Sequence, residues 1–173
     1  MAITRLNNNS ITSVTALPSG VGGKVLQIIS VNGLNSDFQT SSTSLVEVTD
    51  SNIAITPTSA TSRIIVTWQV NTHITGSTDT PLSSLNAYRG ATNLGNIFGG
   101  RNYAASGTHY YDKTTQCSII DYPNTTSEVT YKLYAKTTSG GFYAQRTWIS
   151  DANGEPRMRI VAMEIESSTQ WSE

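Results

Sequence analysis

The chain has 173 residues, enough for one domain with a proper core, and only 13% of them are charged, about half the usual share. Eleven basic and twelve acidic residues leave a formal net charge of −1 and form no blocks, which argues against nucleic acid or an anionic membrane as a partner. Ser and Thr make up roughly a quarter of the sequence, so the expected surface is neutral and hydroxyl-rich.

The N-terminal stretch "MAITRLNNNSITSVTALPSGVGG" has neither the basic start nor the apolar run of a secretory leader, and no segment approaches a membrane span. Synthesis and folding in a cytoplasm are therefore expected. Ile3, Leu6, Ile11, Val14 and Leu17 punctuate this polar stretch at spacings near three, which suits an extended arm touching a surface intermittently. Burying each such side chain contributes about 1.5–3 kcal/mol, while ordering each backbone residue costs about 1–2 kcal/mol. Residues 1–23 therefore read as an anchoring arm that needs a partner to hold it.

From Lys24 onward the texture changes to short runs of Val, Ile, Thr, Tyr and Trp between Gly, Asn, Asp, Pro and Ser clusters. "KVLQIIS", "SLVEV" and "NIAIT" read as short strands. In "SRIIVTWQVNTHI", Ile64, Val66, Trp68, Val70 and Ile74 share one face, with Arg63, Thr67, Gln69, Asn71 and His73 on a solvated one. "LNAYRGATNLG" places Gly90 and Asn93 where a hairpin needs residues tolerant of positive φ, and "SIIDYPN" ends at Pro123. "EVTYKLYAKT" alternates with period two. "RMRIVAMEIE" is apolar on both faces and predicts a central strand covered on both sides. No window shows a capped helical period. Eight or nine strands at this spacing predict an all-β, antiparallel, jelly-roll-like β-sandwich over residues 24–166, followed by a tail, 167–173.

Residues that could carry chemistry are sparse. His73 and His109 lie in no metal-ligand spacing. Cys117 stands alone, which precludes an intrachain disulfide and suits a small buried hydrophobe at a strand start. His109, Asp112 and Cys117 are the residue types of a nucleophilic triad without its signature. "SGVGGKV" lacks the first glycine and the hydroxyl of a phosphate loop. Asp112 with Asp121, and Glu164 with Glu166, are carboxylate pairs better read as solvated or salt-bridged. The sequence thus predicts no catalytic residue, metal or cofactor. The long connection from Asn96 to Gln116 holds Phe98, Arg101, Tyr103, His109, Tyr110 and Tyr111; aromatic residues beside Arg mark it as a possible recognition loop.

The succession "GKVLQIIS", "SNIAITPTSATSRIIVTWQV", "LNAYRGATNLG", "SIIDYPNTTSEVTYKLYAKT" and "RIVAMEIE" resembles a β-sandwich module of tailed-bacteriophage virion proteins, marine ones especially, from about Lys24 to Glu166. The resemblance implies a virion component, with a trimeric jelly roll similar to tumour-necrosis-factor-like trimers as the expected form. The module occurs both on head-decoration proteins and at the tips of tail fibres. A start only two dozen residues before the module, with no shaft or coiled coil, favours a capsid decoration or cement protein on the head exterior. Its expected partners are further copies of itself and the major capsid protein. The alternative is a small fibre on a tail protein, its knob binding a host surface glycan through the aromatic loop.

Overall fold

The computed structural model describes residues 25–32, 38–76, 82–101, 109–144 and 158–166. They form eleven strands: β1 (Val25–Asn32), β2 (Phe38–Thr40), β3 (Val46–Glu47), β4 (Ile53–Ile55), β5 (Arg63–Gly76), β6 (Leu82–Arg89), β7 (Thr92–Arg101), β8 (His109–Asp121), β9 (Val129–Thr137), β10 (Gly141–Ala144) and β11 (Met158–Ile165).

The long strand β5 organises one sheet. On one side it pairs with β8 along nearly its whole length, and on the other with β11 over Arg63–Val70 and then β10 over Thr72–Thr75. β1 lies outside β11 and β2 outside β10. The second sheet runs β7, β6, β9, with β3 and β4 end to end along β9.

Counting β1/β2, β3/β4 and β10/β11 as single strand positions leaves eight. The first sheet then has the order 1-8-3-6 and the second 2-7-4-5, all antiparallel. Positions 1 and 8, 2 and 7, 3 and 6, and 4 and 5 are nested antiparallel pairs, as when one long hairpin is rolled up. This is the jelly roll that the strand spacing predicts.

The alternation read in the sequence sets the interior. Ile64, Val66, Trp68 and Val70 of β5, Leu85 and Ala87 of β6, Tyr131, Leu133 and Ala135 of β9, and Met158, Ile160 and Ala162 of β11 are all wholly buried. Turns follow local chemistry. Arg89 pairs with Thr92, so Gly90 and Ala91 form a two-residue hairpin, and Gly90 has φ +56°, as the first position of a II′ turn requires. Asn93, expected to share that role, is instead in β7, where its Oδ1 accepts from the Gly95 N–H at 2.9 Å.

A buried hydroxyl repairs the break between β3 and β4. Between their short ladders on β9, the Leu133 N–H donates to Ser51 Oγ at 2.9 Å, and the Leu133 carbonyl accepts from the Val48 N–H at 2.8 Å. The Ser51 carbonyl accepts from Trp68 Nε1 at 3.0 Å, tying the two sheets together at the centre of the core.

Three expectations change. His73 belongs to the outward phase of β5 but is only 1% exposed. The ring of Tyr143, on the neighbouring β10, stands edge-on at 5.1 Å and helps cover it. β11 is central, but its outer residues Val161, Met163 and Ile165 are half-buried rather than covered. Cys117 sits within β8 opposite Trp68, not at a strand start; burial pushes its thiol up to about 11, which makes it unreactive near neutral pH.

Ser51→Ala leaves the buried Leu133 N–H without its partner and should destabilise the fold by about 1–3 kcal/mol. A urea unfolding midpoint lowered at unchanged slope is the expected observation.

Candidate functional site

Two carboxylates occupy the inner face of the first sheet at one end of the sandwich. Register places Asp121 of β8, Ile64 of β5 and Glu164 of β11 in one row, with Gln27 of β1 continuing it. Two strand spacings put the acids about 10 Å apart. Neither acid pairs in the way the sequence suggests. Asp112 is in register with His73, nine residues along β8 from Asp121, or about 30 Å. Glu166 lies beyond the end of β11 and is exposed.

Glu164 is wholly buried, against the expectation of a solvated or ion-paired acid. Its Oε1 accepts from the Thr58 N–H at 2.7 Å, the Thr58 hydroxyl at 2.9 Å and the Ser59 N–H at 3.4 Å, and its Oε2 accepts from Gln27 Nε2 at 2.6 Å. Gln27 Nε2 also donates to the Thr56 carbonyl at 2.6 Å. Burial raises the Glu164 pKa, but the donors of Ser62, Gln27 and Thr58 around it outweigh burial and hold it below the ordinary value. The carboxylate thus pins the crossover between β4 and β5, which passes from one sheet to the other, against β1 and β11.

Asp121 closes the other half of this end. Its Oδ2 accepts from Arg89 Nη1 at 2.7 Å and from the Tyr131 hydroxyl at 2.7 Å, and Arg89 also donates to the Tyr122 carbonyl at 3.2 Å. Arg89 and Tyr131 come from β6 and β9 of the opposite sheet, so one carboxylate clamps the sandwich. Burial, and then the negative Asp121 beside it, push the Tyr131 phenol pKa up. On the outer side of the same end the Arg63 guanidinium lies 5.1 Å over the Tyr122 ring.

These side chains are turned toward one another, and among the described residues no cluster of three or more His, Cys, Asp or Glu could hold a metal. His109, Asp112 and Cys117 lie along one strand, β8, spread over about 27 Å. They form no triad.

The arm residues Ile3, Leu6, Ile11, Val14 and Leu17 lie outside the described residues, as does Tyr103. The aromatic connection is mostly strand. Asn96 to Arg101 belong to β7 in one sheet and His109 to Gln116 to β8 in the other, leaving 102–108 between them. Phe98 packs against the core and Arg101 is exposed. His109, Tyr110 and Tyr111 pair through their backbones with Gly76, Thr75 and Ile74. The residues that converge, Gln27, Thr58, Arg89 and Tyr131, were not singled out from the sequence. Thr58 lies in "ITPTSATSRIIV", Arg89 in "YRGATNLG", and Asp121 and Tyr131 in "DYPNTTSEVTYKLYAK", the segments that carry the resemblance.

No family model matches the chain, and no curated protein matches it. Among solved structures it is similar to one of infectious bursal disease virus Gt strain, at 12% identity and TM-score 0.41 over 82% of this chain and 38% of that one. It is also similar to a mutant VP2 protein of the same virus in derived T=1 particles, at 11% identity and TM-score 0.36 over 83% and 36%. The Gx strain structure gives 10% identity and TM-score 0.35 over 83% and 38%. The chain therefore spans under two fifths of the length of these viral neighbours.

Two results are expected from this end of the sandwich. Arg89→Ala leaves Asp121 without its cation and should cost about 2–4 kcal/mol, less than for a wholly buried pair because Arg89 keeps 26% of its side chain exposed; Tyr131→Phe should cost about 1–2 kcal/mol. Chemical denaturation of the two variants checks both. The Glu164 pKa is lower folded than unfolded, so its contribution is complete above the unfolded value near 4.5 and is lost as pH falls through the folded value. Stability measured from pH 6 downward should drop below about pH 5, and Glu164→Gln should be less stable at neutral pH with a shallower acid slope.

Proposed function

We propose that this chain is a structural component of a virus particle, and specifically a decoration protein that sits as a trimer on the outside of a tailed-phage head. In this reading residues 1–23 tie adjacent major capsid subunits together. The observation that carries it is the placement of the three module-like segments. They are not scattered decoration: Thr58, Arg89, Asp121 and Tyr131 within them supply the two clamps that close one end of the jelly roll. These segments thus contribute to the contacts that fix this fold, which supports the reading.

The mechanism is mechanical. The arm holds the shell through Ile3, Leu6, Ile11, Val14 and Leu17 and through backbone hydrogen bonds of the kind made when a strand adds to an open sheet edge. Three arms on one trimer raise each other's effective concentration, so contacts individually weak hold together. Pressure from packaged DNA must then break several contacts at once. The protein is made in the host cytoplasm and acts on the capsid exterior.

Deleting residues 1–22 tests this reading with purified head shells. The truncated protein should keep its far-UV spectrum and solubility while losing shell binding. Wild-type occupancy by the truncated protein would sink it, and density on the tail rather than the head in particle images would move the assignment to a fibre.

A further inference from the structure

The outward side of the second sheet is aromatic and polar. Register sets it in rows across β9, β6 and β7: Lys132, Tyr88 and Asn93, then Tyr134, Asn86 and Asn96, then Lys136, Ser84 and Gly99. Leu82 and Arg101, paired with each other and both exposed, end the face. The Tyr88 and Tyr134 rings lie 4.0 Å apart at 35°, and Lys132 Nζ stands 5.5 Å over the Tyr134 ring. Both contacts reach Tyr134 from the row before it. The row after it carries only a serine on β6 and no side chain on β7, where a Cβ at Gly99 would meet nothing within 4 Å. About 13 Å of strand thus separates Asn86 from Leu82, with Ser84 alone between them on this face. The result is a trough walled by Tyr134 and floored by Ser84 and Gly99. The Ser84 hydroxyl is buried there without a hydrogen-bond partner among the described residues.

We propose that this trough binds an acidic sugar, a pyranose carrying a carboxylate, as one unit of an acidic polysaccharide. The proposal is independent of the decoration reading. Charge selects the acidic form. Lys132 is neutralised, since its Nζ donates to Glu47 Oε2 at 2.6 Å, and the Tyr134 hydroxyl donates to the same oxygen at 3.1 Å. Lys136 and Arg101, on opposite sides of β6, are exposed and meet no carboxylate among the described residues. The rest of the trough suits a sugar ring. Its C–H face packs on an aromatic ring, and each of its hydroxyls both donates and accepts, as an amide side chain also does. Asn86 and Asn96 supply two amides in the row of Tyr134; Asn86 Nδ2 donates to Asn93 Oδ1 at 3.3 Å, while the Asn96 side chain is exposed and without a hydrogen bond among the described residues. A ligand hydroxyl over the floor would also relieve the unsatisfied Ser84. A protein partner fits less well, because these three rows hold no aliphatic side chain to form the apolar centre of an interface. Two free cations are also too few to hold a nucleic acid against salt.

The test titrates the full chain, in low salt, with methyl glucuronide and methyl galacturonide, and with methyl glucoside and methyl galactoside as their neutral parents. At least one uronide should bind with a millimolar dissociation constant, the range open to a ligand of about a dozen heavy atoms, and about tenfold more tightly than its parent. Tyr134→Val keeps strand propensity and should weaken binding about tenfold. Lys136→Gln, at an exposed position, should remove the preference for the acidic sugar. If Tyr134→Val fails to fold, Asn96→Ala replaces it and should weaken binding about threefold. Failure of both uronides to bind would overturn the proposal. So would acetate binding as tightly as the uronides, or folded Tyr134→Val and Lys136→Gln variants that bind as the wild type does.

Discussion

The end row of the first sheet holds two buried carboxylates, of which only Asp121 meets a cation among the described residues, and the architecture depends on how that imbalance is resolved. Asp121 is neutralised by Arg89 from the opposite sheet and further held by Tyr131. Glu164 meets no cation among the described residues and accepts from an amide, a hydroxyl and two backbone N–H groups. An unpaired buried charge costs several kcal/mol, so these donors must be in place whenever the carboxylate is. That requirement fixes the path of residues 56–62 and the register of β1 against β11. A jelly roll has few local contacts to set its register, since every nested pair except the innermost, β6 with β7, is joined through chain that lies elsewhere. Polar groups with strict geometric demands add to the register that the alternating apolar face already sets.

The centre of the sandwich uses the same device more cheaply. Ser51 stands in for a missing ladder bond at Leu133 and presents its carbonyl to Trp68. The largest buried side chain is thereby locked to the opposite sheet through an uncharged link. With the clamped end, this link ties the two sheets at two places, at Trp68 of β5 and at Asp121 of β8 beside it.

The strands were legible because alternation is a local property. Ile64 to Val70 and Tyr131 to Ala135 declare their faces without reference to the rest of the chain. Gly90 was legible for the same reason, since a two-residue turn asks for positive φ at that position. What failed were inferences about single residues that needed a particular neighbour. His73 follows the outward phase of its own strand, yet Tyr143, seventy positions away in sequence, covers it. Glu164 alternates correctly as an inward residue of β11, but a carboxylate there reads as solvent-exposed until the donors of residues 58–59 are known to face it. The aromatic stretch from Asn96 to Gln116 looked like a loop because Gly and Ser break its pattern, though most of it runs as two strands in different sheets. The long-range clamp was not visible, because its members Arg89, Asp121 and Tyr131 lie on three different strands and meet only in the folded sandwich.

The imbalance also separates the two sides of the first sheet by function. Inward, the end row is acidic and its carboxylates are turned toward donors of the protein itself. One residue further along each strand the direction reverses, and the next row is Ile28, Met163, Ile65 and Ile120. Because side-chain direction alternates with a period of two, a slip of one residue in β11 would carry Glu164 out to solvent and Met163 into the core. The buried carboxylate opposes that slip, since it would forfeit its four donors. It therefore secures the direction of the outward apolar row as well as that of the core.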